Sequence, residues 1–251
     1  MSRSPIGKVL STIRKHRVRA LLMGGQACIL YGAAEFSRDV DLAVAADERN
    51  LERLRRALAE LEAEPIYVPA LGRAVLRRGH ACHFRVQARA AKGLRIDIMS
   101  ALHGCGDFES LWKRRRRLRL AALAGVPLLD LRDLVQAKKT QRDKDWPMLR
   151  RLVEVDYESR RGRPSAARIA FWLREARTAE LLTELCSKYP KTARRLSSRR
   201  AAIDFAIKEN QDGIERALRK EEEKLRALDR AYWRPLREEL FRWRQARRGR
   251  I

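Results

Sequence analysis

Asp39 and Asp41 stand two residues apart inside the apolar run DVDLAV, residues 39–44. Successive side chains on a strand point to opposite faces, so both carboxylates leave the same face, about 6.6 Å apart along it. Two ionised carboxylates side by side repel, and an apolar setting raises the cost. A purely structural strand seldom carries such a pair. A divalent cation asks for one: Mg²⁺ (or Mn²⁺) takes hard oxygen ligands and keeps coordination positions for substrate phosphates. Just upstream, RALLMGG reads as a short buried strand ending in the Gly24–Gly25 turn, and the residues from Gly25 to Tyr31 read as the start of a helix. Strand, glycine turn, helix and acidic strand in that order narrow the fold to a mixed α/β sheet with flanking helices.

The same order narrows the chemistry. Two cations about 3.5–4 Å apart can activate an attacking oxygen and stabilise a leaving pyrophosphate, and that arrangement wants a third carboxylate. LRIDIMS supplies Asp97 between Ile96 and Ile98, on what reads as another strand whose alternation turns Asp97 away from both isoleucines. A glycine turn that opens a helix presents free N–H groups and the positive helix end to a phosphate chain. Gly24 and Gly25 are therefore candidate phosphate contacts.

The remaining elements extend the pattern. Residues 7–17 read as a helix, and DERNLERLRRALAELEA reads as another, with Asp47 as its cap. PIYVPA is short and strand-like. HFRVQARA and LRIDIMSAL read as two strands separated by AAKG. Beyond residue 107 the texture changes. KRRRRLR places six basic residues among the seven from Lys113 to Arg119, and a turn is expected at AGVP, 124–127. A helical stretch follows with a break near Asp145 and Pro147, then ESRRGRPSA as the best linker. Helices are expected at 165–177, 178–188, 191–208 and about 211–230, before a last segment in which Tyr232, Trp233, Phe241 and Trp243 lie among arginines. The expected division is an α/β domain over 1–157 and a helical domain over 165–251.

The glycine turn, the acid pair and the later acid together resemble the nucleotidyltransferase superfamily that shares the DNA polymerase β palm. Within it, GGQACILYGAAEFSRDVDL is most similar to bacterial nucleotidyltransferase-like proteins that include the AbiEii-type toxins of type IV toxin–antitoxin systems. Their pattern runs GG-x-A and then R-x-[ST]-x-D-h-D. Ser37 matches the [ST] position, where it could touch a phosphate, and Glu35 stands where the pattern has arginine. The resemblance implies Asp39, Asp41 and Asp97 as catalytic and metal-holding acids. It implies Gly24, Gly25, Ser37, Lys138 and Lys144 as nucleotide contacts, the lysines coming from DLVQAKKTQRDKDWPML. Lys138 and Arg142, four apart, would clamp a triphosphate from one helical face. The implied activity is metal-dependent transfer of a nucleoside monophosphate from an NTP to an acceptor, with a cognate antitoxin as a possible partner.

Charge bears on the acceptor. The chain carries a net charge of +25, from 57 Lys plus Arg against 32 Asp plus Glu. A field of that size attracts polyanions, and nucleic acid is the usual one. RNA, including a tRNA end, is the expected acceptor, and Arg114, Arg115, Arg116 and Arg117 are candidate nucleic-acid contacts. A protein hydroxyl (AMPylation) or a catalytically weak binding module on the same fold are the alternatives. His80, Cys82, His83, His103 and Cys105 lack the spacing of a zinc site. The four cysteines follow no framework spacing and read as reduced thiols. No apolar run reaches the roughly 18 residues of a membrane span, and no signal peptide is evident. A cytoplasmic protein without a membrane partner is expected.

Overall fold

The computed structural model describes residues 4–117 and 127–248. They form two compact units: Met1–Leu30, Ala34–Ala137 and Tyr232–Ile251 make the first, Tyr31–Ala33 and Lys138–Ala231 the second. In this grouping the chain passes from one unit to the other near Ala137 and again near Ala231. ESRRGRPSA is a turn between two helices of the second unit, and the last residues group with the sheet.

The first unit begins with α1 (Pro5–Lys15), where Ser4 accepts a hydrogen bond from the Gly7 amide and Pro5 occupies the first turn. There its missing N–H costs nothing. Then come β1 (Ala20–Met23), α2 (Gly24–Leu30), β2 (Asp39–Val44) and α3 (Glu48–Glu60), whose cap is Asp47, accepting from the Asn50 amide. β3 (Ala63–Pro65), α4 (Arg73–Arg77), β4 (Cys82–Val86), a 3₁₀ turn (Arg89–Ala91), β5 (Arg95–Met99), α5 (Phe108–Arg114) and α6 (Leu131–Ala137) complete it. The sheet order is β1-β2-β5-β4-β3. β2 and β5 are parallel, and the other three pairings are antiparallel.

Alternation gives the sheet two unlike faces. Val40, Leu42, Ile96, Ile98, Cys82 and Phe84 all lie on one face and are buried. The apolar stripes of α1 (Val9, Leu10, Ile13) and α3 (Leu51, Leu54, Leu58) are buried as well. At about 25 cal/mol per Å² of apolar surface, this face supplies the unit's main driving force. The opposite face carries the charged residues. The outer edge of β1 is not left open: Leu22 donates to the Pro127 carbonyl and accepts from the Leu129 amide at 2.8 and 3.0 Å. Pairing of that kind protects an edge strand.

PIYVPA differs from expectation. The strand ends at Pro65, and only the Ile66 amide still reaches β4, through the His83 carbonyl at 2.9 Å. Pro65 and Pro69 have no amide hydrogen to continue a ladder. Residues 124–126 of the expected AGVP turn, and Arg119 of the basic run, lie outside the described residues.

The second unit is helical: α7 (Asp145–Arg160), α8 (Ala166–Glu175), α9 (Ala179–Lys188), α10 (Pro190–Ser197), α11 (Ala201–Ile207) and most of α12 (Gln211–Arg248). Trp172 and Tyr157 are its largest fully buried side chains and meet edge to face at 5.1 Å. The single helix expected over 191–208 is broken at Arg200, whose backbone is extended. Its buried guanidinium donates to the Leu173 and Ala176 carbonyls, both at 2.7 Å, and pairs with Glu221. These contacts hold the chain out of helix there. α12 runs through Pro235 to Arg248, so the expected last segment is its continuation. No helix among the described residues is long and apolar enough to cross a membrane.

Candidate active site

The charged face of the sheet reads as two rows across the strands. One row holds Glu64 on β3, Arg85 on β4, Arg95 on β5 and Asp39 on β2. The next holds His83 on β4, Asp97 on β5, Asp41 on β2 and Met23 on β1. The sequence establishes that Asp39 and Asp41 share a face. The parallel register adds that Asp97 lies directly beside Asp41, one strand spacing of about 4.8 Å away. All three acids are half-buried.

The glycine turn is built around two of these side chains. Gly24 has a φ of +65°, and a Cβ there would come within 1.7 Å of Asp41 Oδ2. A Cβ on Gly25 would come within 2.4 Å of Ser37 Oγ. Only glycine lets the carboxylate and the hydroxyl lie against this backbone. Gln26 fixes the segment before β2 by donating from Nε2 to the Ser37 carbonyl at 2.9 Å. The turn, the serine and the acid pair are one packed arrangement.

Asp97 is engaged differently. Its Oδ1 accepts from Arg95 Nε at 2.7 Å and lies 2.8 Å from His83 Nδ1. Burial pushes its pKa up, but the hydrogen bonds from His83 and Arg95 outweigh it and hold the carboxyl below the ordinary value. Among the described residues no three His, Cys, Asp or Glu side chains are gathered as a metal-binding group. Asp39 and Asp41 present hard oxygen donors suited to a divalent cation. Asp97 lies beside them with one oxygen committed to Arg95 and His83.

The sequence singles out neither Arg85 nor Arg95, and it offers His83 only as a histidine without zinc-site spacing. The signal was present as alternation, since HFR and RID each place charged or polar residues two apart. What pairs them is the β4–β5 register, which no local pattern reveals.

The expected lysine clamp takes another form. α6 stops at Ala137, so Lys138 and Arg142 lie in the connection to α7 and not on a helical face. Both turn to Asp145, Lys138 Nζ at 3.0 Å and Arg142 Nε at 2.7 Å, and Thr140 Oγ1 donates to the same carboxylate at 2.6 Å. Asp145 is buried, which raises its pKa, yet Lys138 with Thr140 and Arg142 holds it low. Lys138 is thus a buried counter-ion, whereas Lys144 is exposed at the start of α7. Both lysines belong to the second unit, and the three acids to the first.

In the basic run, Arg114 makes a two-point bond to Asp133 at 2.9 and 3.0 Å, and Arg116 Nε pairs with Asp130 at 3.0 Å. The Arg115 guanidinium lies over the Trp112 ring, 4.4 Å from its centroid. Arg117 is exposed. The candidate soft ligands do not gather: His80 pairs with Glu239, His103 stacks on Tyr232, and the Cys82 thiol is buried with its pKa pushed up to about 11.

No protein-family model matches the sequence. No curated protein matches it either. Among solved structures, one from Thermotoga maritima whose name proposes a nucleotidyltransferase is 18% identical, covers 52% of this chain and 78% of its own, and has a TM-score of 0.37. The Helicobacter pylori protein JHP933 is 12% identical over 88% of this chain and 90% of its own, also at a TM-score of 0.37. A second H. pylori structure, whose name again proposes a nucleotidyltransferase, is 12% identical over 88% and 93% of the two chains, at the same TM-score of 0.37.

Proposed function

We propose that the protein is a metal-dependent nucleotidyltransferase that moves a nucleoside monophosphate from an NTP onto an acceptor hydroxyl, with RNA as the acceptor. The observation that carries this reading is the set of three carboxylates on one sheet face, Asp41 directly beside Asp97, packed against a glycine that cannot be replaced without displacing Asp41. Carboxylates in directly opposite positions on one sheet face repel, and Arg95 and His83 answer the charge of Asp97. A bound divalent cation would answer the remaining charge of Asp39 and Asp41.

In this reading Asp39 and Asp41 hold Mg²⁺, which when bound neutralises phosphate charge and favours the ionised acceptor oxygen. The acceptor hydroxyl gives up its proton to solvent by way of the Asp97 oxygen that Arg95 and His83 do not engage, its oxygen bonds to the α-phosphorus, the bond from that phosphorus to the bridging oxygen of the β-phosphate breaks, and pyrophosphate leaves. Gly24, Gly25 and Ser37 let the phosphate chain approach the backbone closely. Asp97, kept ionised by Arg95 and His83, orients the acceptor hydroxyl through the oxygen those two residues do not engage. Positioning and charge neutralisation supply most of the catalysis in phosphoryl transfer, so this small set suffices. The net charge of +25 favours a polyanionic acceptor over a small molecule.

Incubation with Mg²⁺, each α-labelled NTP in turn and total bacterial RNA tests the proposal, with Asp39→Ala/Asp41→Ala as control. Label is expected in RNA with the wild type alone. Label on protein would replace the RNA acceptor by a protein hydroxyl. Growth arrest on expression, relieved by Asp39→Ala/Asp41→Ala, would be the cellular counterpart expected of a toxin. A second reading, a nucleic-acid-binding module on the same fold, is favoured by the pairing of Asp97 with Arg95 and His83. RNA retention without transfer under any divalent metal would select it.

A further inference from the structure

The charged face carries a feature the carboxylates do not explain. Arg85 and Arg95 are directly opposite each other in the antiparallel β4–β5 ladder. Both side chains leave the same face from Cβ atoms about 5 Å apart, a relation in which like charges destabilise a sheet. Arg95 is neutralised by Asp97 at 2.7 Å. Arg85 is exposed and makes no ion pair among the described residues. The acid across its other side, Glu64, instead accepts a hydrogen bond from Gln87 at 2.8 Å. No acidic residue occurs between Glu64 and Asp97, although seven arginines and lysines do. Glu64 and Asp39 end the same row and Asp97 engages Arg95, so Arg85 is the guanidinium of the pair whose charge no carboxylate among the described residues takes up, and its fork of donors beside Arg95 forms a place for an anion.

An aromatic ring adjoins it. Tyr67 is 47% exposed, and its ring meets that of His83 edge-on at 5.7 Å. Cations that follow a backbone, with an exposed ring on which a base can stack, make the combination that binds single-stranded nucleic acid.

Position on the sheet decides which anion this is. The glycine turn follows β1, the carboxylates stand on β2 and β5, and the arginine pair stands on β5 and β4. Asp39 and Asp41 thus lie between the glycine turn on one side and the arginine pair on the other, and Asp97 shares β5 with Arg95. The nucleotide's own phosphates belong on the glycine side, against Gly24, Gly25 and Ser37. We infer that Arg85 and Arg95, with Tyr67, hold the phosphodiester backbone and a base of the single-stranded RNA end that accepts the nucleotide. This inference rests on the transferase reading above and assigns the two sides of its site.

The test measures two affinities on the full-length protein: a 5′-fluorescein single-stranded RNA 12-mer by anisotropy across a salt series, and a fluorescent ATP analogue with Mg²⁺. Arg85→Glu is expected to weaken RNA binding roughly tenfold or more, with charge reversed at a phosphate contact. It should also make the log–log salt slope shallower by about 0.7–1, one phosphate's worth. Tyr67→Ala should weaken RNA roughly tenfold through lost stacking. Nucleotide affinity should stay within twofold of wild type in both, and Arg85→Lys should keep the salt slope. Arg85 is exposed, and a circular dichroism spectrum like wild type's is expected for each variant. RNA affinity and slope unchanged in Arg85→Glu would overturn the inference. A parallel loss of the ATP analogue and of inorganic tripolyphosphate would overturn it too, by giving the pair to the nucleotide. Failure of wild type to bind nucleotide at all would remove the transferase reading itself, a result distinct from either.

Discussion

Gly24 combines two demands that no other residue meets. Its φ of +65° is left-handed, and a side chain there would occupy the space of the Asp41 carboxylate, 1.7 Å from Oδ2. The left-handed backbone alone costs a non-glycine residue about 1–2 kcal/mol. Gly24→Ala is therefore expected to lose at least that much stability in a denaturant titration. It should also lose nucleotide transfer by more than the fraction unfolded accounts for, because Asp41 must move. Transfer at the wild-type rate in a folded Gly24→Ala protein would show that Asp41 has no fixed part in the chemistry. At this scale the sequence was informative, since a glycine pair and acids two apart are local patterns. The grouping of Arg85, Arg95 and His83 was illegible for the opposite reason. Each reads as one more basic or polar residue on a strand until the β4–β5 register pairs them.

Elements were legible where one periodicity dominated. β5 alternates throughout and β2 over residues 39–42, and α3 repeats leucines at helical steps after its Asp47 cap. Reading failed where a side chain redirects the backbone. Arg200 looks like a surface arginine in a basic stretch, yet its bonds to the Leu173 and Ala176 carbonyls end one helix and begin another. Lys138 and Arg142 have helical spacing, yet Asp145 draws both into a connection. The tie between α1 and α3 shows an electrostatic element contact with a testable sign. Glu60 on α3 receives Lys15 and His16, and Lys8 more distantly, at 2.8, 2.7 and 3.5 Å. Hydrogen bonds from Lys15 and then His16 lower its pKa from 4.5 to about 2. A carboxyl depressed on folding adds stability above its unfolded pKa and loses that contribution as pH falls through the folded value. Glu60→Gln should therefore melt below wild type at pH 6, and the gap should close between pH 4.5 and about 2. A gap that persists unchanged at pH 2 would assign the effect to packing and not to charge.

On the scale of the whole molecule, the least legible feature is that the chain's last stretch belongs to the sheet. The residues from Tyr232 group with the first unit, although they continue a helix that begins at Gln211. Pro235 cannot donate to the Ala231 carbonyl four residues back, which weakens the helix at the point where the grouping changes. From there α12 meets the segment around β4. Glu239 reaches the fully buried His80 at 2.7 Å, Trp243 packs on the same imidazole at 4.8 Å, and Arg78 lies 5.2 Å from the Trp243 ring centroid. Gly79, at a φ of +99°, leaves room for Tyr232 Oη, which a Cβ there would approach to 2.6 Å. Leu236 is 8% exposed. In the sequence these aromatics interleave with arginines, which suits stacking on nucleic acid, but at helical spacing they read more as a core face. Here Tyr232 and Trp243 pack against protein. A chain ended after Ala231 should accordingly leave His80 without its carboxylate partner and uncover Gly79. Hydrogen exchange is expected to quicken in α4 and β4 while α7, α8 and α9 keep their protection, because local opening follows the loss of buried contacts. Leu236→Ala is the milder form, expected to cost about 2–5 kcal/mol as other buried leucines do. Unchanged protection in α4 and β4 after truncation would mean that the sheet unit closes its core without the end of α12.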